Sequence, residues 1–371
     1  MRKTALTLVK AVVSLGILAY IFTKVVDIRH LWANLKEADL SYFAAAILMY
    51  FVVQALSAYR WYLLLKPQGI EVSYWKILSY YFLGMYFNFF LPSAIGGDVF
   101  RIYYLNKETK RLSASTASVF LDRDIGMGGL LLVGTLVAWF SGTRFNGILL
   151  GPIFAVIAVA FVGANLAIFY RPTYNLLHRV LSLFRMKRVD EKVERMFDSV
   201  NCYRGEWSLL VVTILMSVGV QIGCAVVNLL AASAIGMHTR NGWWDYLVFI
   251  PTIGLIGMAP LTVNGAGLRE AAYILLFKSV IDMVGGSPVT AGDPRIEAAA
   301  ATLAVLWLGA VVATSLPGGI IYVAKGGRKL DRIPDSVEAI EVVSNAEDPS
   351  SVMLEPDQLS ATREEEPVSI I

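Results

Sequence analysis

Apolar stretches of about 20 residues recur along this chain, each long enough to cross about 30 Å of hydrocarbon at about 1.5 Å of helical rise per residue. Spanning helices are expected near residues 6–26, 40–63, 114–139, 148–170, 207–235 and 297–323. The runs are far longer than the strands of a membrane barrel and lack the polar/apolar alternation that a barrel wall requires. The expected fold class is therefore all-α, a polytopic membrane helix bundle. Composition agrees: 56% of the 371 residues are apolar and only 16% charged, well away from the balance of a soluble domain.

Basic residues are spread unevenly between the spans, and that bias sets orientation because Lys and Arg are retained in cytoplasmic loops. Lys66, Lys76, Lys107, Lys110 and Arg111 mark the inside, as do Lys325, Arg328 and Lys329 and the eight Lys/Arg between Arg171 and Arg204. The start, Met1-Arg2-Lys3 before an apolar run, reads as a signal anchor. These signs predict a multi-pass protein of the inner or plasma membrane with both termini cytoplasmic. Four segments are expected: an N-terminal membrane half (1–170), a basic amphipathic linker on the anionic leaflet (171–206), a C-terminal membrane half (207–325) and a disordered acidic tail (326–371). The tail holds four Lys/Arg against eleven Asp/Glu, which leaves the body strongly basic.

Between Lys76 and Lys107 about 30 residues run apolar although both flanks belong on the cytoplasmic side, a demand that one straight span cannot meet. The chain supplies a break: Tyr80–Leu91 is apolar, Pro92-Ser93-Ala94-Ile95-Gly96-Gly97-Asp98 interrupts, and Val99–Leu105 resumes. Proline removes a helix donor and paired glycines permit backbone that other residues avoid, so a re-entrant hairpin is expected. A second break follows the same plan. Trp243–Ala259 is apolar, Pro260-Leu261-Thr262-Val263-Asn264-Gly265-Ala266-Gly267 interrupts, and Leu268–Met283 resumes. Pro92 to Gly97 and Pro260 to Gly265 are both separations of five, and Pro92 to Arg101 and Pro260 to Arg269 both separations of nine. Counting spans, the second hairpin inserts from the opposite side, giving two re-entrant broken-helix hairpins in an inverted repeat, the layout by which many secondary transporters bind substrate at mid-membrane.

A helix that starts inside the membrane leaves its first N–H groups free, an arrangement suited to anions. Asp98 and Asn264 are expected as N-caps, with Arg101 and Arg269 in the first turns ready to take a phosphate. Two other readings stay open: Asp98 and Glu270 pair with those arginines, or the arginines are structural or snorkel to an interface. Asp122-Arg123-Asp124 opens a long apolar run, where ionisable groups mark a pathway or anchor the helix end. Ser118, Asp122 and Gly126, spaced by four, share one helix face. Gln54, Gln221 and Asn228 are expected in interhelical hydrogen bonds, and Arg60 with Trp61 as an interfacial anchor. The glycine motifs are not nucleotide loops, since no Lys-Ser pair follows them. The histidines His30, His178 and His238 are scattered, and Cys202 and Cys224 are read as unpaired thiols. No metal site, catalytic residue, cofactor or nucleic-acid partner is expected.

Asn88-Phe89-Phe90-Leu91-Pro92, then Gly96-Gly97-Asp98 and Arg101, then Gly265-x-Gly267-x-Arg269-Glu270, resemble motifs of the flippase-like membrane family that includes the lysylphosphatidylglycerol synthase transmembrane region, the lipid-translocating half of multiple peptide resistance factor. The similarity covers roughly residues 5–325, with Ser93 standing where a glycine is expected. It implies movement of a lipid with a charged or glycosylated headgroup between leaflets and makes both motifs lining elements. The short acidic tail stands where the fused resistance proteins carry an aminoacyl-transfer domain, so aminoacylation is not inferred. The substrate-binding set so drawn is Pro92, Gly96, Gly97, Asp98, Arg101, Asp122, Arg123, Asn264, Gly265, Gly267, Arg269 and Glu270. Its partners are membrane lipids with anionic headgroups, with a homo-oligomer or a membrane partner left open. A membrane enzyme acting on lipid-linked substrates, using Asp98, Asp122 or Glu270 as acid or base, and an accessory lipid-binding subunit are the alternatives.

Overall fold

The computed structural model describes residues 2–89, 96–145, 147–169, 202–203, 205–259 and 261–324. Pro92, Pro260, most of the basic linker and the acidic tail lie outside the described residues. The rest is an all-α membrane protein. Helices α1 (Arg2–Tyr20), α2 (Ile28–Glu37), α3 (Leu40–Leu65), α4 (Tyr74–Phe87), α5 (Gly96–Thr109), α6 (Leu112–Ser141) and α7 (Leu150–Phe169) precede the linker. Helices α8 (Trp207–Ala234), α9 (Trp243–Gly257), α10 (Leu268–Phe277) and α11 (Pro294–Ala324) follow it.

Four helices, α3, α6, α8 and α11, are long and apolar enough to span a bilayer. They correspond to four of the expected spans. The stretches expected at 6–26 and 148–170 are helical too, with shorter apolar parts, Val12–Val25 and Leu150–Leu166. Outward faces carry residues such as Leu48, Val52, Phe140, Val156, Leu215 and Ile320, all exposed. An apolar exterior is stable only where lipid replaces water. Helix α11 is central: 61% of its most apolar window is buried, against 28–39% for the other three. Its run Ala298–Ala301 explains this, since small side chains let neighbouring helices approach closely. It packs on α2, α3, α4 and α10, while α3 packs on α8 and α6 on α7, α8 and α9.

Each interrupted segment holds two helices, α4 and α5 on either side of residues 90–95, and α9 and α10 on either side of a 3-10 turn. Arms α4 and α5 close on each other through Phe87 and Phe100, stacked with ring centroids 4.0 Å apart. Arms α9 and α10 close through Phe249 and Phe277 at 5.4 Å, edge to face. The second returning arm is shorter than expected. Helix ends at Phe277, and Ile281–Val284 forms a strand between His238–Thr239 and Ser287–Pro288, all antiparallel. The local reason is readable: β-branched Val280 and Ile281 lead to Gly285-Gly286, both at positive φ (58° and 71°), the backbone of a tight hairpin turn.

The returning helices also start elsewhere than the proposed caps. Helix α5 begins at Gly96, placing Asp98 inside its first turn. Helix α10 is capped at Gly267 (φ 84°), while Asn264 lies three residues earlier in a 3-10 turn, Val263–Gly265. The side chain of Asn264 is outside what the structure describes.

Candidate functional site

Five charged side chains from α3, α5 and α6 form an alternating chain. Arg60 of α3 donates from Nε to Asp122 Oδ1 at 2.9 Å, from Nη2 to the Asp122 carbonyl at 3.1 Å and from Nη1 to Ser217 Oγ of α8 at 2.7 Å. The other oxygen of Asp122 accepts from Arg101 Nη2 at 2.8 Å. Arg101 Nη1 reaches Asp98 Oδ1 at 3.2 Å, and Asp98 Oδ2 accepts from Arg123 Nε at 2.6 Å. Arg60, Asp98, Arg101 and Asp122 are all buried. Ion pairs in such surroundings persist because removing either partner strands the other in a medium that cannot solvate it.

Arg101 is fixed further by aromatic faces, its guanidinium carbon 4.1 Å from the Trp61 ring centre and 4.6 Å from that of Tyr81. Trp61 is itself held by a bond from its indole N–H to Ser118 Oγ at 3.2 Å. The anchor reading of Arg60 and Trp61 is thereby corrected, for both sit inside the protein, 5% and 0% exposed. Glycine makes the packing possible. A Cβ on Gly97 would lie 2.2 Å from the carbonyl oxygen of Gly84, so arms α4 and α5 touch backbone to backbone. In the second hairpin a Cβ on Gly265, at φ 76°, would lie 2.7 Å from the carbonyl oxygen of Gly257.

The helix starts are less open to an anion than the sequence suggests. The Gly97 N–H donates to Asn88 Oδ1 at 2.8 Å, and the Gly267 N–H to Glu270 Oε2 at 2.6 Å. Arg269 Nη2 contacts Glu270 Oε1 at 3.3 Å, its only hydrogen bond among the described residues, and its side chain is 26% exposed. The Arg123 side chain is 49% exposed, and among the described residues only its Nε is engaged. The two arginines expected to act alike thus differ: Arg101 is neutralised and enclosed, whereas Arg269 and Arg123 have donors with no partner among the described residues.

Those donors face two adjoining cavities. One, of about 380 Å³, is lined by the alternating chain with Gln54, Tyr81, Asn88, Gln221 and Arg269. The other, of about 830 Å³, is largely apolar, with Ile102, Val119, Phe120, Ile250, Ile253 and Trp307 in its walls and Lys10, Asp98, Arg123 and Arg269 among its polar residues. Asn88, Asp98, Arg123, Gln221, Met258 and Arg269 belong to both linings. Of the residues singled out in the sequence, Gly97, Asp98, Arg101, Asp122, Arg123 and Arg269 meet at the polar cavity, and Gly265 lines the apolar one. Glu270 and Gly267 support Arg269 from behind, and Gly96 is buried in the first turn of α5 without lining either cavity. Asp124, two residues past Asp122, is turned toward α7, where it accepts from Asn165 Nδ2 at 3.2 Å. Asn228 accepts from the Tyr273 hydroxyl at 2.7 Å, the interhelical bond expected of it. Cys202 and Cys224 do not form a disulfide with each other. Among the described residues no group of His, Cys, Asp and Glu could hold a metal ion.

Arg60 and Lys10 are the charged lining residues that the sequence reading did not select. For Arg60 a signal existed: Gln54, Ser57, Arg60 and Trp61 recur at helical spacing on one face of a span, a polar stripe that only a protein interior can satisfy.

An apolar-surfaced helix bundle, two broken segments and a charged cavity opening into an apolar one define a multi-pass membrane protein with an internal amphipathic site. Residues 7–292 match the family described as lysylphosphatidylglycerol synthase TM region, and the chain belongs to that family. It is similar to a UPF0104 membrane protein of Methanothermobacter thermautotrophicus, 24% identical over 265 residues that cover 66% of this chain and 77% of the relative. A UPF0104 membrane protein of Pyrococcus horikoshii is 31% identical over 102 residues, which cover 25% of this chain and 30% of the relative's length.

Proposed function

We propose that this protein is a lipid transporter of the flippase type, moving a lipid with an anionic headgroup between leaflets without chemistry on it. The observation that carries this reading is the junction of the two cavities. The charged one suits a headgroup, the apolar one suits acyl chains, and Arg123 and Arg269 stand in the wall common to both with donors to spare. Phosphate is the natural partner of a guanidinium with free, coplanar donors.

The broken segments are read as re-entrant hairpins of an inverted repeat in the inner membrane, with both termini cytoplasmic. Helix lengths support this. Arms α4, α5, α9 and α10 have 14, 14, 15 and 10 residues. Such arms extend about 15–22 Å, short of the about 30 Å of hydrocarbon.

The test is leaflet exchange of a fluorescent anionic phospholipid in proteoliposomes. Replacing Arg123 and Arg269 together by alanine should leave insertion intact and stop exchange. Normal exchange in that double variant would overturn the assignment. Conversion of a lipid-linked substrate by the purified protein would favour a membrane enzyme using Asp98, Asp122 or Glu270. Exchange that needs a co-purifying protein would favour an accessory subunit.

A further inference from the structure

Among the described residues, the charges that line the joined cavities do not balance. Lys10, Arg60, Arg101, Arg123 and Arg269 contribute five positive charges. Asp98 and Asp122 are the carboxylates in the linings, and Glu270, behind Arg269, is the third in contact with these cations. Five against three leaves a surplus of two. Asp124 does not reduce it, since it faces Asn165 on α7 and lines neither cavity.

The surplus has a definite location. Arg60 and Arg101 are charge-paired with Asp122 and Asp98, and Ser217 takes a further donor of Arg60, although Arg101 Nε is buried without a partner among the described residues. Among the described residues, Arg123 has no partner for its terminal nitrogens, Arg269 none for Nε and Nη1, and the Lys10 side chain no hydrogen bond. These three groups line the apolar cavity; Glu270 offsets Arg269, so the surplus of two rests on Lys10 and on Arg123 at the end of the charge chain, beside apolar walls that supply no counter-charge among the described residues.

An occupant relieves that cost fully only if it brings two negative charges. A zwitterionic headgroup brings none in net, a phosphodiester such as phosphatidylglycerol brings one, and a cationic aminoacylated headgroup would add to the surplus. A phosphate monoester carries between one and a half and two at neutral pH, as phosphorylated side chains do, about −1.5 to −2. We infer that the site, taken as the lipid site proposed above, selects lipids whose headgroup holds two negative phosphate charges, a terminal monoester or a diphosphate, gripped by Lys10, Arg123 and Arg269.

Binding tests this without transport. The full chain, purified in mild detergent, is mixed with equal amounts of phosphatidate, phosphatidylglycerol and phosphatidylcholine of the same acyl composition, and the lipids retained are counted by native mass spectrometry. Phosphatidate should be retained over phosphatidylglycerol by about tenfold or more, the ratio that one additional charge-assisted hydrogen bond supports. Lys10→Gln with Arg123→Gln should bring the two lipids to near parity, while Lys10→Arg with Arg123→Lys, which keeps both charges, should preserve a preference. Equal retention by the unmodified protein, or an undiminished preference after both charges are removed, overturns the inference. So does displacement of phosphatidate by inorganic phosphate at equal concentration, which would make this a site for a soluble anion. Selective retention without leaflet exchange would defeat the transport reading and leave this one standing.

Discussion

Asp122 is the carboxylate on which the buried charge chain depends, and replacing it with asparagine tests the architecture directly. It is 1% exposed and accepts from two guanidiniums, Arg60 Nε at 2.9 Å and Arg101 Nη2 at 2.8 Å. Asparagine keeps the shape and one acceptor but removes the charge, so two buried cations lose their common partner. Arg101 still touches Asp98, and Arg60 still holds Ser217 and a backbone carbonyl, so the damage is partial for each. Breaking a buried pair in this way costs about 3–5 kcal/mol, or about two to four powers of ten in the folding equilibrium. Asp124→Asn is the matched control on the same helix: among the described residues its carboxylate accepts only from the Asn165 amide, and about 1 kcal/mol or less is at stake. Unfolding of both variants by denaturing detergent, followed by tryptophan fluorescence, measures the difference. In the cycle with Arg60→Gln, the double variant should lose about 1–3 kcal/mol less than the sum of the singles, the coupling expected of residues in one network. Additive losses, or an Asp122→Asn variant as stable as Asp124→Asn, would refute the reasoning.

Gly97→Ala forces a methyl to 2.2 Å from the Gly84 carbonyl oxygen, so arms α4 and α5 must separate; about 2 kcal/mol or more of stability should be lost, together with leaflet exchange, read by the same unfolding and proteoliposome assays. Tyr273→Phe removes the donor that Asn228 accepts at 2.7 Å inside the bundle and should cost about 1–3 kcal/mol in the unfolding assay with insertion unchanged. Asp39 caps α3 by accepting the Ser41 N–H at 2.8 Å, and this bond holds its carboxyl below the ordinary 3.8. A carboxyl depressed in the folded state stabilises above its unfolded pKa and loses that contribution as pH falls through the folded one. Asp39→Ala should therefore lower the melting temperature at pH 7, and the gap to the parent protein should shrink on acidification below about pH 4.

Much of the bundle could be read from hydropathy. The long spans, the two interruptions and the residues Gly97, Asp98, Arg101, Asp122, Arg123, Gly265 and Arg269 all stood out in one dimension, because a bilayer penalises each polar residue nearly independently of its neighbours. Helix ends were less legible. The same apolar run that continues as helix from Leu268 turns to strand after Phe277, a choice made by Gly285-Gly286 and by pairing with His238–Thr239 some forty positions earlier, roughly.

What hydropathy could not decide is which cation is spent and which is available. Arg101 and Arg269 occupy equivalent places in the two motifs, yet one lies between Trp61 and Tyr81 with two carboxylates attached, and the other meets a single glutamate beside open space. Arg60, apparently a boundary residue, finds Asp122 across 62 positions and Ser217 across 157. Burial of a charge is a property of one residue and its solvent, legible along the chain. Its neutralisation belongs to pairs brought together by packing, and it is settled only when the helices close around them.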